Sequence, residues 1–334
     1  MPQRAILRLV FTRFSKFVAH KKLPALLAAL ALGLPAFVSA KPPKPAGSVQ
    51  YEALPLRRSA QDHLLVRAEI NGKPAIMVVD TGAPVSAIAI NRRAYFGMKP
   101  VAGKSRIPTR LSINGAFNAV VIAHNFRLGA LNLVDEPMVT INLGGLREDS
   151  PGGNEQGMDG IIGTDILSPT KAIIDCDRQM LILKMDPLAS GPVPGFNFSA
   201  YRRVAMHESD GYNLYVDGSV NGRAAKLMVD TGAFATLLHS RFVHSMKIPL
   251  RNTAFRSSGV NLKERGVKIA NITRLSIGSM DMRSSNVGVI DLEGLIHGGL
   301  LDASPPVAGL LGSEMLQRYH AIIDFGTSSL YLKR

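Results

Sequence analysis

Cysteine is nearly absent: Cys176 stands alone in 334 residues, so the chain cannot close a disulfide on itself. Without that staple the core alone must hold the fold. Cys176 lies in an apolar strand pattern and reads as a small buried hydrophobe rather than a nucleophile. Aromatic residues are scarce as well, at 6%, and no nucleic-acid recognition motif accompanies them. The net charge of +14 therefore reads as solvated surface charge in pairs such as Arg57-Arg58, Arg92-Arg93 and Arg202-Arg203, and no nucleic-acid partner is expected. No Cys/His spacing suits a metal, and the eight histidines are scattered, so neither metal nor cofactor is expected. Long hydrophobic runs are missing too. Leu23–Leu34 is apolar but falls short of the roughly 20 residues a transmembrane helix needs.

That short apolar run belongs to an N-terminal pattern with no acidic residue in it. Arg4, Arg8, Arg13, Lys16, Lys21 and Lys22 precede or abut the run, and Val38-Ser39-Ala40 follows with small residues where a signal peptidase reads. Residues 1–40 read as a cleaved signal peptide, with an uncleaved N-terminal membrane anchor as the alternative. Its removal takes away six positive charges and brings +14 to +8. The expected location is periplasmic or secreted, with no membrane contact beyond this segment. Residues 41–50 form a Pro-rich tail.

From residue 51 the chain is a duplication. Shifted by 150 residues, Tyr51–Ala83 falls on Tyr201–Ala233 without a gap, and 12 of 33 positions are identical. Shifted by 149, Gly160–Leu183 falls on Gly309–Leu332 with 9 of 24 identical. The register slips by one residue across each half, so the chain holds two copies of one fold. Residues 51–185 and 201–334 are the two expected lobes. The stretch 186–200 between them is the expected linker, with three prolines and two glycines in Asp186–Gly195.

Each copy reads as mostly strand. Asn71-Gly72 and Asn221-Gly222 are the dipeptides favoured in two-residue hairpins. Asn114-Gly115 and Ser258-Gly259 are further hairpin tips. Thr164–Leu167 and Ser313–Arg318 read as short helices, Gly144–Gly157 and Gly294–Pro306 as loops, and Ala172–Leu183 and Ala321–Leu332 as closing hairpins. The fold class is all-β, with two homologous lobes about a pseudo-two-fold axis.

The two copies share one chemical feature. Val78-Val79-Asp80-Thr81-Gly82-Ala83 and Met228-Val229-Asp230-Thr231-Gly232-Ala233 are apolar runs that end in a carboxylate, a hydroxyl and a glycine. A carboxylate at the end of a core strand is costly unless it is paired or hydrogen-bonded. Packing about a two-fold axis brings Asp80 and Asp230 face to face. Two carboxyls about 3 Å apart cannot both ionise, so they share a proton. One then takes a proton from water while its neighbour donates to a carbonyl. Thr81 and Thr231 are placed to brace the two turns across the axis. Asp175 and Asp324 are matched but read as structural, and Asp165 and Glu314 read as capping or solvent-facing.

These residues resemble the retropepsin-like aspartic proteases, in an exported form with both lobes on one chain. The resemblance rests on the paired Asp-Thr-Gly-Ala turns, on Ile161-Ile162-Gly163 and Leu310-Leu311-Gly312, and on the Ala-Ile-Ile-Asp closing strands. It implies a bilobal acid-protease fold and an aspartic endopeptidase with a polypeptide substrate. It implies that Asp80 and Asp230 are the catalytic pair and Thr81 and Thr231 the inter-lobe grip. Gly82 and Gly232 would shape the turns, Gly163 and Gly312 back them, and flap tips would lie near Gly115 and Gly259. Many two-lobed relatives carry Ser or Thr where this chain has Ala83 and Ala233. Losing that donor leaves the pair less acidic and moves the optimum towards neutrality. The duplication favours a monomer with an intrachain pair. The alternatives are a homodimer pairing like copies, a peptide-binding protein that does not cut, and a two-carboxylate glycosidase. Symmetric placement speaks against the last, because glycosidase acids come from non-equivalent positions.

Overall fold

The computed structural model describes residues 51–59, 61–101, 119–143, 157–185, 193, 195–208, 213–259, 262–282, 286–298, 300–301 and 305–334. The signal segment, the Pro-rich tail, the expected flap tip at Gly115, most of the loop 144–157 and most of the stretch 186–195 lie outside these residues.

In the first lobe β1 is Tyr51–Pro55, β2 Arg57–Arg58, β3 Leu64–Ile70, β4 Lys73–Val79 and β5 Ala87–Ala89. Then come β6 (Val120–Leu128), β7 (Leu131–Ile141), β8 (Gly160–Ile162), helix α1 (Thr164–Leu167), β9 (Ile173–Asp175) and β10 (Met180–Lys184). The second lobe repeats the plan with β11 (Arg202–Ala205), β12 (His207–Glu208), β13 (Leu214–Val220), β14 (Arg223–Val229), β15 (Leu237–His239) and helix α2 (Ser240–Ser245). The strands β16 (Leu250–Gly259), β17 (Leu262–Asn271), β18 (Leu275–Ile277), β19 (Met280–Met282) and β20 (Asn286–Ile290) follow. Helix α3 (Glu293–His297), β21 (Gly309–Leu311), helix α4 (Ser313–Arg318), β22 (Ile322–Asp324) and β23 (Ser329–Leu332) complete the chain. This is an all-β, bilobal fold.

The hairpins start where the sequence places them. Asn71 and Gly72 have φ of 51° and 77°, and Asn221 and Gly222 have 50° and 82°. Both central residues of each two-residue loop are left-handed, as a turn matched to the strand twist demands. The apolar runs that follow are buried because each lies inside a sheet. In the first lobe β8 inserts between β4 and β5, parallel to β4 and antiparallel to β5. In the second, β21 inserts between β14 and β15 in the same sense. Val79 pairs with Ile162 and Val229 with Leu311. Each Asp-Thr-Gly turn therefore leaves its strand beside the glycine that follows β8 or β21, Gly163 or Gly312.

The lobes are joined by a third sheet of six strands, in the order β1-β10-β9-β22-β23-β11. Its centre shows the symmetry directly. In the antiparallel pairing of β9 with β22, Ile173 faces Asp324, Ile174 faces Ile323 and Asp175 faces Ile322. Ile173 meets the counterpart of Asp175, Asp175 meets the counterpart of Ile173, and Ile174 meets its own counterpart, which is the self-complementary pattern of a two-fold interface. Ile174 and Ile323 have no exposed surface. Asp175 and Asp324 accept backbone N–H groups in the hairpin turns, from Arg178 at 2.8 Å and Gly326 at 2.8 Å. Both are structural, as expected. One face of this sheet is covered by Val193, Phe196, Phe198 and Tyr201, with Phe198 stacked 4.1 Å from Tyr331. The end of the expected linker is thus packed, because its aromatic residues find apolar surface on Ile173, Ile182 and Ile322.

One stretch departs from expectation. The run Gly294–Pro306, read as a loop for its glycines and prolines, begins inside α3. Asp291 Oδ1 accepts the Glu293 N–H at 2.9 Å and so satisfies one of the helix's free donors. Leu292, Leu295, Leu300 and Leu301 pack with Tyr215 and Met228 and bury the helix's inner face.

Ile174 and Ile323 touch at the symmetry axis. Each replaced by Ala lowers unfolding stability by about 2–5 kcal/mol. Because they share one contact, the double substitution is non-additive. Urea denaturation of the two single variants and the double variant measures this.

Candidate active site

The two Asp-Thr-Gly turns meet at the lobe interface and are locked by their threonines. Thr81 Oγ1 donates to the Val229 carbonyl at 2.7 Å and accepts the Thr231 N–H at 3.1 Å. Thr231 Oγ1 donates to the Val79 carbonyl at 2.8 Å and accepts the Thr81 N–H at 3.0 Å. These four reciprocal bonds are buried, and each hydroxyl both donates and accepts across the interface, shielded from water. The brace expected of Thr81 and Thr231 is present.

The glycines let the carboxyls approach. A Cβ on Gly82 would lie 2.5 Å from Asp230 Oδ1, and one on Gly232 would lie 2.5 Å from Asp80 Cγ. Each turn therefore presents its glycine to the other lobe's carboxyl. Gly82 N–H donates to Asp80 Oδ1 at 2.8 Å, and Gly232 N–H donates to Asp230 Oδ1 at 2.9 Å. Ala233 N–H adds a bond to Asp230 Oδ1 at 3.0 Å. With methyl groups at residues 83 and 233, the donors at this point are backbone amides.

Each carboxyl lies against the glycine of the other's turn, and Asp80 and Asp230 are close enough for each to perturb the other's ionisation. Two buried carboxyls placed so closely do not both ionise readily, so one proton is shared between them. Burial pushes both groups above the ordinary carboxylate value of 3.8. On Asp80 the Gly82 amide and the His63 ring oppose the rise, and on Asp230 the charge of Asp80 adds to it. The pair thus keeps one proton well into the range where isolated carboxyls have lost theirs.

Behind each turn stands Gly163 or Gly312. Both have extended backbones, with φ of −95° and −87°, so space rather than conformation excludes a side chain. A Cβ on Gly163 would fall 2.6 Å from the Ala83 carbonyl oxygen, and one on Gly312 would fall 2.3 Å from the Ala235 carbonyl carbon. Their amides donate to hydroxyls, Gly163 N–H to Ser86 Oγ at 2.9 Å and Gly312 N–H to Thr236 Oγ1 at 3.0 Å. Those hydroxyls in turn meet the two helix acids. Ser86 Oγ donates to Asp165 Oδ1 at 2.7 Å and its N–H to Oδ2 at 2.8 Å. The Thr236 N–H donates to Glu314 Oε2 at 2.8 Å. Asp165 and Glu314 are therefore not solvent-facing caps. They face inward because the segment after each Asp-Thr-Gly-Ala turn brings them an amide and a hydroxyl. Burial raises both carboxyls, Asp165 to about 6. On β7, burial followed by the charge of Asp165 pushes Glu136 up to about 7. The signal for this layer was in the repeat: Ser86 matches Thr236 in hydroxyl chemistry, and Asp165 matches Glu314 in charge.

The remaining candidates fall as follows. Gly259 pairs with Leu262 at the end of the β16–β17 hairpin, where a tip was expected. Gly115, the other expected tip, is outside the described residues. Cys176 is buried, and burial pushes its thiol up to about 12, so it is inert. His63, which the sequence did not single out, is buried and meets Ser59 Oγ through Nδ1 at 3.3 Å.

A family model described as aspartyl protease matches the chain twice, over residues 66–166 and 216–315. Each match contains one Asp-Thr-Gly turn and the glycine element behind it. A search of curated proteins found no match to this chain.

Two outcomes follow from this geometry. Gly82→Ala forces the added methyl against Asp230 and costs about 1–3 kcal/mol in urea unfolding. Asp230→Asn has the opposite effect. A carboxyl raised in the folded state binds its proton more tightly there than in the unfolded chain. The protein therefore loses stability as pH rises from the unfolded value of 3.8 towards the raised one. Asn removes that loss, so the thermal midpoint of Asp230→Asn exceeds that of the parent by a margin that grows between pH 5 and pH 8.

Proposed function

The chain belongs to the aspartyl protease family, and we propose that it is an endopeptidase that hydrolyses peptide bonds with a water activated between Asp80 and Asp230. The observation that carries this reading is the placement of two buried carboxyls on symmetric turns locked to one another by reciprocal threonine bonds, each carboxyl against the other turn's glycine. In the one-proton state the ionised carboxylate is the general base that takes a proton from the water. The protonated carboxyl donates to the oxygen of the scissile carbonyl as the water oxygen attacks its carbon. The resulting gem-diol collapses when a proton passes to the leaving amine and the C–N bond breaks. The amides of Gly82, Gly232 and Ala233 hold the carboxyls through these transfers and need no reorganisation.

The substrate is a polypeptide, and the β16–β17 hairpin ending at Gly259 is the element suited to close over it. The working protein is a monomer with an intrachain pair, a reading supported by the reciprocal threonine bonds within one chain. The signal-like residues 1–40 support export to the periplasm or beyond.

The pH profile follows from the shared proton. Activity needs one proton on the pair, so kcat/KM rises as the first carboxyl ionises and falls as the second does. Burial raises both groups, so the acid limb lies above 3.8 and the optimum lies towards neutrality. The test is cleavage of a diverse peptide library from pH 3 to pH 8 by the parent, Asp80→Asn and Asp230→Asn. Expected are cutting by the parent, loss of at least about 10³-fold in each variant, and a single bell. An optimum below about pH 3 would overturn the pH reading. Full activity in either variant would show that the two turns do not act together. A protein that binds library peptides and cuts none would be a binding module.

A further inference from the structure

A cleft of about 780 Å³ lies in the second lobe between α4, the β18–β19 hairpin and β20, and the two-carboxylate mechanism does not use it. Small-molecule sites span about 300–1,000 Å³, so the space suits one compact ligand. Arg274, Arg318 and Arg334 line it, together with Asp281 and Glu314. Asp281 holds two of the arginines in place. Its carboxylate accepts Arg274 Nε and Nη2, each at 2.9 Å, and its backbone carbonyl accepts Arg334 Nη2 at 2.8 Å. The bidentate pairing leaves further N–H donors on the Arg274 guanidinium. Glu314 Oε2 is taken up by the Thr236 amide at 2.8 Å and the Thr236 hydroxyl at 3.3 Å. Thr236 also accepts the Gly312 N–H, so the cleft's lining includes the layer behind the Asp230 turn.

The duplication separates what the fold needs from what the second lobe has added. Arg274 stands where the first lobe has Asn125: the Asn71 N–H donates to the Asn125 carbonyl and the Asn221 N–H to the Arg274 carbonyl, both at 2.8 Å. Asp281 stands where the first lobe has Asn132, since Asn132 pairs with Arg127 as Asp281 pairs with Ser276 in the matching hairpin. Arg318 matches Pro169 and Arg334 matches Met185. None of the four first-lobe residues is charged. Helix α1 ends at Leu167, before Pro169, whereas α4 runs on through Arg318. Met185 packs against the apolar core, where Arg334 reaches the Asp281 carbonyl instead. The first lobe therefore forms the same framework without these charges, and folding does not explain them.

We propose that this cleft binds a small organic acid, with a carboxylate or phosphate head on the guanidiniums and an apolar body beside them. Guanidinium N–H groups form a planar fork that matches two oxygens of either head. The three arginines outnumber the two acids of the lining, and both acids already have partners. The excess charge is positive, so the ligand is an anion. Met282 and Met315 are buried at the base of the cleft, and the arginine stems add apolar wall above them. A bare inorganic ion would leave that wall and most of the volume unused.

The test is binding by the full chain, and it holds whether or not the protein cuts peptides. Isothermal titration calorimetry compares phenyl phosphate and benzoate, which share a ring and differ in head, with benzyl alcohol, which has no charge. The expected result is saturable binding of at least one acid at a single site and none of the alcohol. Binding of the phosphate alone or the carboxylate alone assigns the head, and binding of both shows that the arginines accept either. Arg318→Ala and Arg274→Asn each weaken binding by at least about 10-fold. Arg202→Ala, an exposed arginine on β11 outside the cleft, leaves it unchanged. Saturation by neither acid overturns the proposal. So does an alcohol that binds as well as the acids, or an affinity that Arg318→Ala and Arg274→Asn leave at the parent's value. Arg318 is exposed at the end of α4, so Arg318→Ala decides alone if Arg274→Asn does not fold.

Discussion

Two carboxyl groups in contact inside a protein hold one negative charge between them, not two, and the rest of this structure keeps them in contact. Burial alone would drive Asp80 and Asp230 apart or into water. The four threonine bonds prevent that by tying each turn to the backbone of the opposite lobe. The glycines remove the atoms that would stand in the way. Behind them, a hydroxyl and an acid in each lobe hold the segment that follows the turn.

Apolar burial, beside the carboxyls and beyond them, also holds the lobes together. The six-stranded sheet buries Ile174 and Ile323 at its centre and carries aromatic cover on one face. One apolar cluster includes buried side chains from both lobes, among them Val79, Ile162, Val229 and Leu311. This burial offsets the cost of raising two carboxyls above their ordinary range. A chain with one cysteine has no covalent substitute for it.

Duplication supplies the symmetry of the site. The pairs Asp80/Asp230, Thr81/Thr231 and Gly163/Gly312 are matched in type and in contacts. His63 and Asn213 are matched in position and differ in contacts, His63 meeting Ser59 Oγ and Asn213 donating to the Leu300 carbonyl. Proton transfer between two groups needs a donor and an acceptor, so a symmetric pair has its roles assigned by the substrate.

The sequence by itself determined the strand-rich class, the two-fold repeat, the Asn-Gly hairpins, the short helices after Gly163 and Gly312, and the Asp-Thr-Gly turns. Each of these is written in local chemistry: alternation, a left-handed dipeptide, or a carboxylate at the end of an apolar run. The helix α3 was not readable because its glycine-rich composition points to a loop. It forms only because Leu292, Leu295, Leu300 and Leu301 find a shared core. The inward orientation of Asp165 and Glu314 was not readable either, because their partners Ser86 and Thr236 are more than 70 residues away in the chain. Propensity and pattern act over a few residues, whereas the environment that sets a carboxyl's proton is assembled from segments the whole fold brings together.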